Sequence, residues 1–216
     1  MPEFNLKTPM RKPLFYSILA AALFCFSQTQ LPTVDSYAIT KAGFIEVGGP
    51  VSAGSSMLTR ANFDNVIKGL YDSIGLINYN LSYDVFRLGM IGYYSLESEG
   101  ALNNKGLVTI IDFEKPSTEK RFYTIDLNSK RVKYHTYVAH GRNSGDNWAK
   151  DFSNIPQSYQ SSLGFYVTGE TYTGKHGLSL YLDGMEAGIN DKAKERAIVM
   201  HGAEYVSRDF IRKNGR

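Results

Sequence analysis

The apolar residues of this chain change their period once, near Lys105, and that change constrains the fold more than any other feature. Before it they recur at helical spacing. From Phe63 onward Val66, Ile67, Leu70, Tyr71 and Ile74 share one face of a helix that Gly75 ends. A second helix is predicted after Ser82, with Val85, Leu88, Gly92, Tyr93 and Leu96 as its stripe and Gly100 as its stop. Gly89 and Gly92 weaken that helix by up to ~1 kcal/mol each, and they let another element come close.

After Lys105 the spacing is that of strands. Residues 107–113 form an apolar, β-branched run closed by Glu114-Lys115-Pro116, which predicts a buried strand. Residues 121–127 set Tyr123, Ile125 and Leu127 on one face, and residues 131–138 set Val132, Tyr134 and Val138 on one face. Asn128-Ser129-Lys130 then reads as a three-residue hairpin loop. Residues 163–168 and 178–182 are two further short strands between glycine-containing turns, and the polar stretch 190–196 suits a helical turn. Ala197-Ile198-Val199-Met200 reads as a four-residue buried strand that delivers His201 and Gly202. Helices followed by strands indicate an α+β fold, N-terminal helices leading into a β-rich domain with a mostly antiparallel or mixed sheet.

Composition narrows the function classes. With 216 residues, 43% hydrophobic and 21% charged, the chain has the makings of one domain with a sizeable core, and general disorder is excluded. The net charge of +3 is weak and dispersed, and Trp148, Phe152 and the tyrosines are not interleaved with a basic patch. No nucleic-acid partner is expected. Met10-Arg11-Lys12 precedes an apolar run over residues 14–26, a length that fits the core of a signal peptide and falls short of the ~20 residues needed to span a bilayer. The expectation is a leader over residues 1–30, a flexible Gly- and Ser-containing lead-in over 31–60, and one domain over 61–216. That domain would be exported to the periplasm or cell envelope with no membrane span after leader removal. The single cysteine, Cys25, lies inside the leader and permits no intrachain disulfide.

Four histidines compete for a role. His135 alternates with Arg131, Lys133 and Tyr137 and reads as a solvated sheet residue. His140 opens the polar loop His140-Gly141-Arg142-Asn143-Ser144-Gly145 directly after a strand, where it serves as turn residue or as site wall. His176 lies in Thr173-Gly174-Lys175-His176-Gly177, a hairpin tip by its glycines. His201 stands at the end of an apolar strand, beside a glycine that lets a ligand approach, and is the candidate general base; a satisfied core histidine is the alternative. No His-x-x-x-His, Glu-x-x-His or Cys pair supports a metal, and neither a Gly-x-Ser-x-Gly elbow nor a phosphate loop is present.

Five blocks occur in one order: residues 138–143 (Val-Ala-His-Gly-Arg-Asn), 152–154 (Phe-Ser-Asn), 160–168 (Gln-Ser-Ser-Leu-Gly-Phe-Tyr-Val-Thr), 174–180 (Gly-Lys-His-Gly-Leu-Ser-Leu) and 196–207 (Arg-Ala-Ile-Val-Met-His-Gly-Ala-Glu-Tyr-Val-Ser). On these the chain, from about Asn62 onward, resembles the murein L,D-transpeptidase catalytic domain family, a branch of the YkuD-like L,D-transpeptidases. The resemblance implies a sheet-rich catalytic domain and cysteine acyl transfer on peptidoglycan stem peptides. A thiolate attacks the carbonyl of the third residue of a tetrapeptide stem and expels D-Ala. The thioester is then resolved by an amine of a neighbouring stem or by water. His201 matches the family's catalytic histidine, and His140, Ser162, Tyr166, His176 and Gly202 are the candidate groove residues. No metal or organic cofactor is implied.

The family's nucleophile lies in a Ser-x-Gly-Cys motif downstream of that histidine, and these 216 residues contain none. Cys25 lies at the wrong end to replace it. Asn214-Gly215-Arg216 reads as lacking any capping pattern, so a C-terminally incomplete transpeptidase is expected. The alternative is a catalytically inactive, exported cell-wall domain that binds stem peptides or another partner.

Overall fold

The computed structural model describes residues 18–22 and 60–216. The expected lead-in over 31–60, apart from its last residue, and the expected leader apart from 18–22 lie outside the described residues. In chain order the elements are β1 (Ile18–Ala22), α1 (Arg60–Ile74), a 3-10 turn (Leu76–Tyr79), α2 (Tyr83–Ser98), β2 (Leu107–Asp112), β3 (Phe122–Asp126), β4 (Arg131–Thr136), β5 (Gly164–Gly174), β6 (Gly177–Gly184), β7 (Val199–His201) and α3 (Arg208–Asn214). The architecture is α+β with N-terminal helices, as the change of period predicts. The sheet runs β4-β3-β2-β1-β5-β6-β7. It consists of two antiparallel three-stranded units joined by β1, which lies parallel to β2 and antiparallel to β5.

Both helices form where the sequence places them. Gly75 ends α1 in the left-handed region at φ 71°, and the Ser82 hydroxyl caps α2 by accepting from the Val85 amide at 3.2 Å. Their apolar stripes, led by Phe63, Ile67, Tyr71, Phe86, Met90 and Tyr93, pack on Val108, Ile110, Tyr123, Ile125 and Val167 of the sheet. Each such side chain, fully buried, contributes roughly 1.5–3 kcal/mol. Gly92 has the expected close approach, since the Phe165 ring of β5 occupies the space a Cβ would need. The opposite sheet face carries a smaller core of Ile111, Phe113, Ala149, Tyr166, Leu182 and Ala193, flanked by Phe152, Leu163, Ile198 and Met200.

Several expectations are corrected. Val66 is half exposed, because the helical stripe centres on Phe63, Ile67 and Tyr71. A bulge shifts the β3–β4 register between Thr124 and Ile125, so Val132 faces Ile125 and the core while Tyr134 faces Thr124 and solvent. β5 continues past a second register shift to Gly174. Among the described residues β7 is a half-buried edge strand bonded only to β6, where the sequence suggested a buried one, and Ala197 precedes it in the left-handed region at φ 54°. The C-terminal segment does carry caps: the Ser207 hydroxyl accepts from the Phe210 amide at 3.1 Å, and Gly215, at φ 73°, donates its N–H to the Ile211 carbonyl. None of the described helices is long and apolar enough to cross a membrane.

Candidate active site

β7 pairs with β6 in the register Ser179↔His201, Leu180↔Met200 and Tyr181↔Val199. Side chains alternate across a sheet, so Met200 turns into the smaller core and His201 projects from the opposite face. The β5–β6 hairpin turns at Lys175-His176, with Gly177 at φ 79°, and lays the exposed His176 ring on that of His201. The two imidazoles stack with centroids 4.4 Å apart and planes 14° apart. On the same face Tyr172 and Tyr181 stack at 4.3 Å. A Cβ at Gly202 would meet nothing within 4 Å, which leaves open space beside His201.

The hydrogen bonding of each histidine decides what it can do. His201 Nδ1 lies 2.8 Å from the Gly202 carbonyl. A carbonyl only accepts, so this contact assigns the proton to Nδ1 and leaves the Nε2 lone pair available to take a proton. His140 has the reverse arrangement and no spare lone pair. Its Nε2 donates to the Gly145 carbonyl at 3.2 Å and its Nδ1 accepts from Arg121 Nη2 at 2.8 Å. Burial first, and the Arg121 cation second, hold its pKa below the ordinary value, so it stays a neutral structural ring. His135 is corrected from solvated to half-buried. It stacks on Tyr123 at 4.6 Å, and burial lowers its pKa too.

Of the remaining groove candidates, Tyr166 is buried and donates its hydroxyl to the Ser162 carbonyl at 3.0 Å; burial pushes its pKa up to about 12. Ser162 is buried as well, donating to the Ser153 carbonyl at 2.8 Å and accepting from Arg196. The structure therefore brings His176, His201 and Gly202 together, while Ser162 and Tyr166 serve the interior and His140 serves the loop after β4. That loop also receives the C-terminal helix: Asn147 Nδ2 donates to the Gly215 carbonyl at 3.1 Å, and Arg216 pairs with Asp146 at 2.9 Å.

Sequence reasoning missed two arginines that hold this arrangement. Arg121 is fully buried, donating to the Lys115 and Val138 carbonyls as well as to His140, with its guanidinium over the Phe113 ring. Its position was detectable, because it continues the inward parity of Tyr123 and Ile125. Arg196 clamps the 153–162 loop beside β7 through Ser153, Ser158, Gln160 and Ser162. Among the described residues no three His, Cys, Asp or Glu side chains are grouped to hold a metal ion.

The family profile of the L,D-transpeptidase catalytic domain matches residues 77–216. The chain belongs to this family. The L,D-transpeptidase match begins within the 3-10 turn and leaves α1 outside, a narrower span than the resemblance suggested. It includes α2, β2 to β7, α3 and all four histidines. No curated protein and no solved structure matches the chain. An L,D-transpeptidase catalytic domain implies peptidoglycan as its substrate.

Proposed function

We propose that this chain carries the base side of a cysteine acyl transfer on tetrapeptide stems of peptidoglycan, with His201 as the base and His176 and Gly202 lining the place where the stem lies. The observation that carries the reading is the free Nε2 of His201, its Nδ1 tied to the Gly202 carbonyl, in a domain of this family. In the family's reaction the imidazole takes the thiol proton, the thiolate adds to the stem carbonyl, and D-Ala leaves with a proton on its nitrogen. These 216 residues hold one cysteine, Cys25, and no Ser-x-Gly-Cys motif. By themselves they are expected to bind a tetrapeptide stem saturably in calorimetry and to release no D-Ala. Detecting D-Ala release by the purified chain, or finding no saturable heat, would overturn the reading. Sequencing the gene past codon 216 separates the two forms of it: an in-frame Ser-x-Gly-Cys makes the domain catalytic, and a stop codon leaves a stem-binding protein.

Export to the cell envelope is part of the proposal and rests on Met10-Arg11-Lys12 and the apolar run over 14–26. Residues 18–22 of that run are also β1, the strand between β2 and β5. One segment cannot both leave with a leader and join those strands in the mature protein. The N-terminal mass of the exported product distinguishes the two, and an intact N-terminus would overturn leader removal.

A further inference from the structure

The loop between β4 and β5 carries a cation that the reaction described above does not use. The guanidinium of Arg142 lies 3.7 Å from the centroid of the Tyr159 ring. Among the described residues its side chain makes no ion pair and no hydrogen bond. The backbone that carries this half-exposed ring is strained and heavily bonded. Tyr159 and Gln157 both sit in the left-handed region, at φ 56° and 62°, where bulky residues are uncommon. The Asn143 amide donates to the Tyr159 carbonyl at 3.1 Å, Asn143 Nδ2 donates to the Ser158 carbonyl at 2.9 Å, and Gln160 Nε2 donates back to the Asn143 carbonyl at 3.2 Å. The Gly141 amide donates to Ser161 Oγ, and the Ser161 amide to the hydroxyl of the fully buried Ser144. A Cβ at Gly141 would collide with the Tyr159 carbonyl, so the two arms of the loop abut directly. Asp146, four positions along the same loop, is paired with Arg216.

An arginine seated over an aromatic ring can keep N–H groups of its guanidinium open to a ligand and loses little freedom when they bind. That planar fork matches a carboxylate. We propose that Arg142 on Tyr159 is a receptor for a peptide carboxylate and, resting on the peptidoglycan reading above, that it takes a free carboxylate of the stem.

The test titrates the 216-residue chain with N-acetyl-D-alanine and with N-acetyl-D-alaninamide, following the Arg142 Nε–H and Tyr159 ring resonances, and then with the tetrapeptide stem. The carboxylate probe is expected to shift both resonances saturably at millimolar concentration and the amide probe to shift neither. Arg142→Gln should lose the Tyr159 response and weaken stem binding about tenfold, the effect of one charged hydrogen-bonding group. Tyr159→Phe should keep the receptor and Tyr159→Ala should weaken it. Equal shifts from acid and amide probes, or a stem affinity unchanged by Arg142→Gln, would overturn the assignment. A carboxylate response without stem binding would support the receptor and refute the peptidoglycan reading.

Discussion

Replacing Arg121 by Met should be among the most damaging single changes in this protein. The substitution keeps most of the volume and removes every donor. Two backbone carbonyls, of Lys115 and Val138, and the Nδ1 of His140 lose their partner in a place with no solvent exposure. Each orphaned buried acceptor costs roughly 1–3 kcal/mol, and breaking one side of a buried charge network typically costs about 3–5 kcal/mol. The guanidinium itself is held down to about 10 by burial and favoured by the nearby Asp112 carboxylate, so it is a full cation at neutral pH. Asp112 is 2% exposed, and burial raises its pKa in spite of Lys115 and Arg121. Removing the arginine leaves that carboxylate less compensated. A loss of about 4 kcal/mol, divided by a urea slope of roughly 2 kcal/mol per molar, moves the unfolding midpoint down by about 2 M. The double variant Arg121→Met with Asp112→Asn should recover part of the loss, because it also removes the charge left behind. Urea denaturation followed by circular dichroism reads both. A loss under about 1 kcal/mol, or additive single effects, would show that the network does not hold the loop as argued.

Stability should also fall on mild acidification. Burial lowers the pKa of both His135 and His140 from the ordinary 6.5, so below that value the unfolded chain binds more protons than the folded one. Their contribution is complete above pH 6.5 and is lost between there and the lowered folded values; His135→Phe, which keeps the stack on Tyr123, should make the loss smaller in melts between pH 7 and 5, and an unchanged slope would refute the assignment. Gly184→Ala should cost at least about 1–3 kcal/mol, since the new Cβ meets the Asn190 backbone carbonyl, and a wild-type melting temperature would contradict that packing. Deleting residues 1–30 removes the strand joining β2 to β5, so amide exchange should quicken in residues 108–112 and 164–167, and unchanged protection there would show that β1 is dispensable.

The sequence by itself determined the order and type of the main elements from α1 to β7, but it put the β1 residues in a leader and marked no helix over 208–214. Local chemistry sufficed for these: helical stripes with Ser82 and Gly75 at their ends, β-branched runs, and the glycines around Lys175-His176 all act through nearest neighbours. It also marked His201 as the candidate base, from an apolar strand leading to His-Gly and from family blocks in a fixed order. Contacts between distant residues decided the rest. The bulge opposite Thr124 turned Tyr134 outward, and no local signal marks one extra residue in a strand. Edge position left β7 half-buried, because burial of a strand depends on what lies beside it in the sheet. Most of all, tertiary structure separated histidines that look alike in sequence: Arg121, nineteen positions away, occupies the lone pair of His140, while the Gly202 carbonyl leaves that of His201 free. Which nitrogen holds a proton is set by a partner's position in space, and only folding supplies it.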